Sequence, residues 1–166
     1  MENLKNVKWI ILDVDGVLTD GKIIYDSNGN EIKKFCVKDG YGIYIAQKYG
    51  INFAIISGRY SKIVEIRASE LGIKEVIQSS KDKLEDYKYL KKKYKFKDEE
   101  VIYIGDDIPD IPLLKAVGFP ITVPNSPDIL KKIAVYTTRN EGGNGAVREV
   151  IDLVLDAKGI SYIELK

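Results

Sequence analysis

The stretch IILDVDGVLTD, from Ile10 to Asp20, is an apolar run that ends on two aspartates one residue apart and is followed at once by a glycine. Side chains along a strand alternate faces, so Asp13 and Asp15 share a face only while the strand lasts. Gly16 breaks it there, leaving both carboxylates free to meet one ligand. Two carboxylates this close are costly to hold ionised without a compensating cation, and a hard divalent metal is the expected partner.

Working outward, Lys8 to Val14 is a short apolar run bounded by charge and glycine, the pattern of a strand buried on both faces. Phe53–Ile56, Val76–Ile77, Val101–Ile104 and Ile121–Val123 repeat it. Helical patterns lie between most of them, at about Tyr41–Lys48, Lys62–Leu71, Lys83–Tyr94 and Ile111–Ala116. Alternating strand and helix predict an α/β fold, a three-layer parallel sheet. Two segments interrupt the alternation. Lys22–Tyr25 and Glu31–Val37 flank Asn28-Gly29, a strong hairpin-turn signal, so a β-hairpin over about residues 22–37 is expected directly after the aspartate pair. It is either a decorative insertion or, from its place above the carboxyl edge of the first strand, a flap or an oligomer contact. NEGGNG, Asn140 to Gly145, precedes a final helix near Ala146–Ala157.

The 166 residues carry no linker or repeat and suit a single domain, 1–166, with 45% hydrophobic and 31% charged residues. No apolar run approaches membrane-spanning length, and MENLKNVKW lacks the features of a signal peptide, so a cytoplasmic protein without a membrane partner is expected. The single cysteine, Cys36, forms no internal disulfide. A formal charge of +1 gives no basicity for general nucleic-acid binding, and Lys91–Lys93 reads as a solvated helix face. With no histidine in the chain, His-based triads, His–metal sites and imidazole acid–base schemes are excluded.

In doubly wound sheets ligands bind beyond the carboxyl ends of the strands, and the residues there are polar in this chain. Asp13 and Asp15 follow the first run, Ser57, Gly58 and Arg59 the second, and Gly105, Asp106, Asp107 and Asp110 follow Val101–Ile104. Lys83 opens the helix after the short strand at Val76–Ile77. These groups suit phosphoryl transfer: carboxylates hold Mg²⁺, the metal and Lys83 neutralise phosphate oxygens, and Ser57 hydrogen-bonds another. An ionised aspartate attacks phosphorus, and a second beside it protonates the leaving alkoxide and later takes a proton from water.

In this order the motifs, DVDGV at Asp13, Ser57, Lys83 and GDDIPD around Asp106, resemble the haloacid dehalogenase superfamily over nearly the whole chain. The resemblance implies a Rossmann-like sheet, with Asp13 as nucleophile and Asp15 as general acid/base. It further implies Mg²⁺ on Asp13, Asp106 and the backbone carbonyl of Asp15, and a phosphoryl group held by Ser57, Gly58 and Lys83. Asp107 and Asp110 would orient Lys83 or outer water. Dehalogenases of this superfamily generally lack the second aspartate, so hydrolysis of a phosphomonoester is implied.

The chain has room for the hairpin but not for a cap domain. In this it resembles the capless branch that acts on 3-deoxy-octulosonate 8-phosphate, a sugar-acid phosphate of lipopolysaccharide precursor synthesis. DVDGVLTDG at 13–21, KDGYGI at 38–43, SGR at 57–59, KDKL at 81–84 and GGNGAVRE at 142–149 carry that likeness. It implies a homotetramer whose hairpins complete neighbouring sites. It also implies substrate contacts from Asp15, Cys36, Val37, Lys38, Asp39, Gly40, Arg59 and Arg67, arginine being suited to bidentate carboxylate recognition. The chain departs from the branch's usual Asn-Val-Arg-Asp at Cys36 and Lys38, and Tyr44 replaces a frequent arginine. A branch acting on nine-carbon sialic-acid-type phosphates is the alternative, although it resembles this one with an acidic residue where Arg59 stands. A phosphoacceptor signalling domain and a non-catalytic oligomeric subunit are the readings of other classes.

Overall fold

All four residues of β1, Trp9–Leu12, are buried, because the strand is central in its sheet and covered on both sides. Odd and even positions feed two separate cores. Ile10 and Leu12 pack with Phe53, Ile55, Ile102 and Ile104 in one, while Trp9 and Ile11 pack with Ile56 and Tyr103 in the other. Each fully buried side chain of this kind contributes roughly 1.5–3 kcal/mol, which is why the runs read as continuously apolar. The computed structural model describes residues 2–161, so residues 1 and 162–166 of the expected domain lie outside the described residues.

After β1 come a hairpin of β2 (Ile24–Tyr25) and β3 (Glu31–Ile32), α1 (Val37–Lys48), β4 (Asn52–Ile56), α2 (Lys62–Glu70), β5 (Glu75–Ile77) and α3 (Lys83–Tyr94). Then follow β6 (Val101–Gly105), α4 (Ile111–Leu114), β7 (Phe119–Thr122), α5 (Asp128–Ile133), β8 (Tyr136–Thr137) and α6 (Ala146–Ala157). The large sheet has the order β5-β4-β1-β6-β7-β8 with every pair parallel. Helices α1, α2 and α6 supply the core of one face and α3, α4 and α5 that of the other, giving the three expected layers. The chain steps outward from β1 to β4 and β5, then returns to β6 on the other side of β1. That reversal opens a crevice at the carboxyl ends of β1 and β6.

Three expectations are corrected. The second arm of the hairpin was expected to reach Val37, but pairing ends at Ile32, and Cys36 sits extended as the cap of α1, which starts at Val37 rather than near Tyr41. The cause is tertiary: α1 packs along α6, and Asp39 in its first turn is buried against the start of that helix. Strand β7 begins earlier, at Phe119, and contains Pro120, whose carbonyl accepts from Val135 N–H. Helix α5 and the edge strand β8 had too few periodic residues to be read, at six and two residues.

Candidate active site

The crevice at the strand reversal is a cleft of about 310 Å³, lined by Asp13, Asp15, Ser57, Arg59, Lys83 and Asp106 among others. Gly58, Asp107 and Asp110 also face it, and Ile23 closes it from the hairpin side. Each side chain stands there for a local reason. Asp13 continues the ladder, its N–H donating to the Ile104 carbonyl, and its carboxylate accepts from Val14 N–H at 2.7 Å. The turn that follows depends on Gly16, whose φ is +89° and whose missing side chain leaves room for Asp106: a Cβ there would lie 2.0 Å from an Asp106 oxygen.

The GGNG segment supports this turn from behind. Gly143 N–H donates to the Val17 carbonyl at 2.9 Å, and a Cβ on Gly142 would come within 1.8 Å of the Gly16 carbonyl oxygen. The segment therefore braces the aspartate loop through close backbone packing.

Lys83 opens α3, whose N-terminus is capped by Asp82 accepting from Leu84 N–H and Glu85 N–H at 3.0 and 3.1 Å. Its ammonium lies 2.8 Å from Asp13 and 2.5 Å from Asp110. Burial pulls the Lys83 pKa down, but the two carboxylates outweigh it and the net shift is upward, so the lysine is firmly charged.

Asp13, Asp106 and Asp110 bring carboxylate oxygens within 4.8 Å of one another. Burial first, then the charge of Asp110, pushes Asp13 up to about 6 against the pull of Lys83. Burial, followed by Asp13, Asp110 and Asp107, pushes Asp106 up to about 7. Even with the Lys83 ammonium beside them, these carboxylates carry more negative charge than their partners offset, and their hard oxygen donors fit a divalent cation.

The three are not equivalent. Asp110 accepts from Lys83 and the Tyr103 hydroxyl on one oxygen and from Asp106 N–H and Asp107 N–H, at 2.8 and 3.1 Å, on the other. Four donors saturate a carboxylate, so Asp110 anchors Lys83 and the loop while Asp13 and Asp106 keep capacity for a metal.

Asp15 turns its carboxylate away from this cluster. One oxygen is bonded to Lys33 of the hairpin and the other lies 3.5 Å from Arg59. The two aspartates of DVDG thus face different partners across one cleft. Ser57 is buried at the end of β4, and its Oγ accepts from Arg59 N–H at 3.4 Å.

The remaining expected substrate contacts, Cys36, Val37, Lys38, Asp39, Gly40 and Arg67, are not among the residues that line this cleft. Asp107, expected to orient Lys83 or outer water, faces the cleft, and its side chain caps its own turn by accepting from Ile108 N–H at 2.8 Å. Cys36 caps α1, and Val37, 81% exposed, points to solvent. Lys38 lines a separate cleft with Arg139 and Arg148. Arg67 pairs with Glu70 at 3.0 Å, lies over the Phe35 ring and fills the space beside Gly40. The physical reason is the early start of α1, which directs residues 38–40 toward α6 and α2. Three residues escaped the sequence reading: Glu31, Lys33 and Tyr103. Glu31 and Lys33 were legible in principle, being two apart in the expected second arm of the hairpin that follows the aspartate pair.

Asp39 Oδ1 accepts from Arg148 N–H at 2.8 Å, and burial pushes its carboxyl up to about 6. With a folded value above the unfolded 3.8, the native state holds the extra proton, so this group's contribution falls as pH rises from about 4 to 6. Asp39→Asn is expected to gain on the wild type in melting experiments over that interval, by up to about 3 kcal/mol, and to hold that gain above it. A constant difference across pH 4–8 in thermal melts would contradict the assignment.

Three comparisons with known proteins found relatives of this chain. The haloacid dehalogenase-like hydrolase profile matches residues 47–151. The chain is 45% identical over 159 residues to the 3-deoxy-D-manno-octulosonate 8-phosphate phosphatase KdsC of Escherichia coli strain B, covering 96% of this chain and 85% of that one. The crystal structure of such a phosphatase from Moraxella catarrhalis, in complex with magnesium, phosphate and KDO, is similar with a TM-score of 0.92 at 45% identity, covering 95% of this chain and 91% of that one. The cobalt-bound enzyme from Haemophilus influenzae matches at 0.91 and 40% identity, over 95% of this chain and 92% of that one.

Proposed function

The chain belongs to the haloacid dehalogenase-like hydrolases, and from that premise we propose that it is a Mg²⁺-dependent phosphatase that converts 3-deoxy-D-manno-octulosonate 8-phosphate to the free sugar acid and phosphate. The observation that carries the chemistry is the division of labour between two aspartates at one cleft, Asp13 against Lys83 and Asp106, Asp15 against Lys33 and Arg59. The enzymes named for this substrate, matching over nearly the whole chain, support the choice of sugar acid.

In this reading Asp13 attacks phosphorus through a carboxylate oxygen, forming an aspartyl-phosphate as the bond to the sugar oxygen breaks. Asp15 delivers a proton to that departing oxygen. Water then attacks the phosphoryl group and gives its proton to Asp15, which releases phosphate and regenerates the Asp13 carboxylate. Lys83, Ser57 and Gly58 hold the phosphoryl oxygens, and Lys83 offsets their charge where it develops. Asp13, Asp106 and the backbone carbonyl of Asp15 would hold Mg²⁺, which supplies further charge neutralisation at the phosphoryl group. Arg59, at the rim beside Ser57, presents the planar guanidinium that suits the substrate carboxylate.

The reading is tested by steady-state assays of sugar-acid phosphates with Mg²⁺. The eight-carbon acid is expected to give the highest kcat/KM, and a preference for nine-carbon acids or for a generic aryl ester would overturn the substrate assignment.

A homotetramer completes this reading. The hairpin and the start of α1 present Ile23, Tyr25, Ile32, Val37 and Tyr41 to solvent in a single chain, an apolar surface of the kind that subunit contacts cover. Light scattering is expected to show a tetramer, and removal of residues 23–34 to weaken both assembly and sugar selectivity. A fully active monomer that does not change with concentration would refute this.

A further inference from the structure

Two charged residues of the hairpin take part in the cleft. Glu31 lies in β3 and Lys33 immediately beyond its end, and both side chains reach the charged groups of the cleft, while Ile32 between them is exposed. The Lys33 side chain is 2% exposed although it belongs to a surface hairpin. Withdrawing an ammonium from water costs several kcal/mol unless it is paired, and Lys33 meets two carboxylates: Asp15, at hydrogen-bond distance, and Glu31 at 3.4 Å.

Arg59 meets the same two acids, Glu31 at 3.2 Å and Asp15 at 3.5 Å. The second Glu31 oxygen accepts from the Ser61 hydroxyl at 2.5 Å, tying β3 to the start of α2. Two acids and two bases therefore alternate around a square. Each oxygen of Asp15 has its own cation, one from the hairpin and one from the end of β4.

We propose that Lys33 is a positioning residue for the reaction: with Glu31 behind it, it fixes the Asp15 carboxylate in the orientation that meets the leaving-group oxygen. The hairpin is thereby part of the proton-transfer machinery of its own chain. This rests on the reading of Asp15 as acid and base.

A lysine that merely tied the hairpin down would act on substrate affinity, whereas one that orients Asp15 acts on the step that needs a proton. The two are separated by leaving group. An alkyl phosphate such as the sugar-acid ester needs protonation of its departing oxygen, and p-nitrophenyl phosphate does not. Lys33→Met is expected to lower kcat on the alkyl ester by on the order of 10²-fold with KM little changed. The rapid-quench rate of p-nitrophenolate release in the first turnover should stay at the wild-type value, and Lys33→Arg should recover part of the loss on the alkyl ester. Lys34→Met, next in sequence but exposed and 3.5 Å from Asp20, should match the wild type on both.

Equal losses on the two esters, a rise in KM with kcat intact, or wild-type kinetics of Lys33→Met would each overturn the proposal. Asp15→Asn run in parallel distinguishes the two levels. If it is slow on the alkyl ester while Lys33→Met is not, only the role of Lys33 fails; if it keeps wild-type rates, the acid/base reading of Asp15 fails with it.

Discussion

Asp13→Asn is expected to lower Mg²⁺-dependent phosphatase turnover by at least about 10⁴-fold while the protein stays folded. An amide nitrogen and a carbonyl oxygen replace the two carboxylate oxygens, so the attacking anion is gone and no aspartyl-phosphate forms. The fold has reason to survive. Burial and the Asp110 charge hold the Asp13 carboxyl up at about 6, so above that pH its ionised form opposes folding in the absence of metal. An amide lifts that opposition. Metal-free thermal melts at pH 7.5 should show a midpoint equal to or above the wild type, and acid-quench trapping should show no phosphoenzyme. Wild-type turnover by the folded variant would sink the mechanism.

Lys83→Met carries the second large effect, on activity and stability together. The ammonium links Asp13 and Asp110 at 2.8 and 2.5 Å with 8% of the side chain exposed. Removing one partner of a buried ionic group costs about 3–5 kcal/mol, because the carboxylates left behind have no compensating charge. In a domain of this size that lowers the melting midpoint by roughly 10 °C. The phosphoryl group loses its fixed cation as well, and kcat/KM is expected to fall by about 10²–10³-fold. Mg²⁺ should restore part of the stability, since it supplies charge to the same carboxylates, but not the activity. A variant with the wild-type midpoint in metal-free buffer would show that Lys83 does not neutralise this cluster.

Much of the architecture was legible because buried parallel strands must be apolar on both faces. Trp9–Leu12, Phe53–Ile56 and Val101–Ile104 stand out for that reason, and the residues that follow them stand out by being polar where the runs are not. Helix α3 was read to both ends, at Lys83 and Tyr94. Where the signal was short or tertiary, the reading drifted. The edge strand β8 has two residues, and the start of α1 is set by Asp39 reaching the N-terminus of α6, more than a hundred residues away in the chain.

The site followed the same division. Asp13, Asp15, Ser57, Lys83 and Asp106, all expected to converge, line one cleft, since strand ends in a doubly wound sheet meet by topology alone. Arg67 and residues 36–40 were not brought to the cleft, because matching a motif does not say which way a helix turns its faces.

The amino-acid sequence by itself determined the layered α/β fold, the place of the cleft and the kinds of group that meet there, because hydrophobic periodicity and strand-end polarity are local properties of the chain. Only the tertiary structure decided which partners each carboxylate meets. Asp110 is saturated by four donors from three segments, Asp106 stands close to Asp13 because Gly16 leaves space for it, and Asp15 turns toward Lys33 and Arg59. Those assignments depend on charges and donors that are distant in the chain and near in space, and such proximity is created by packing.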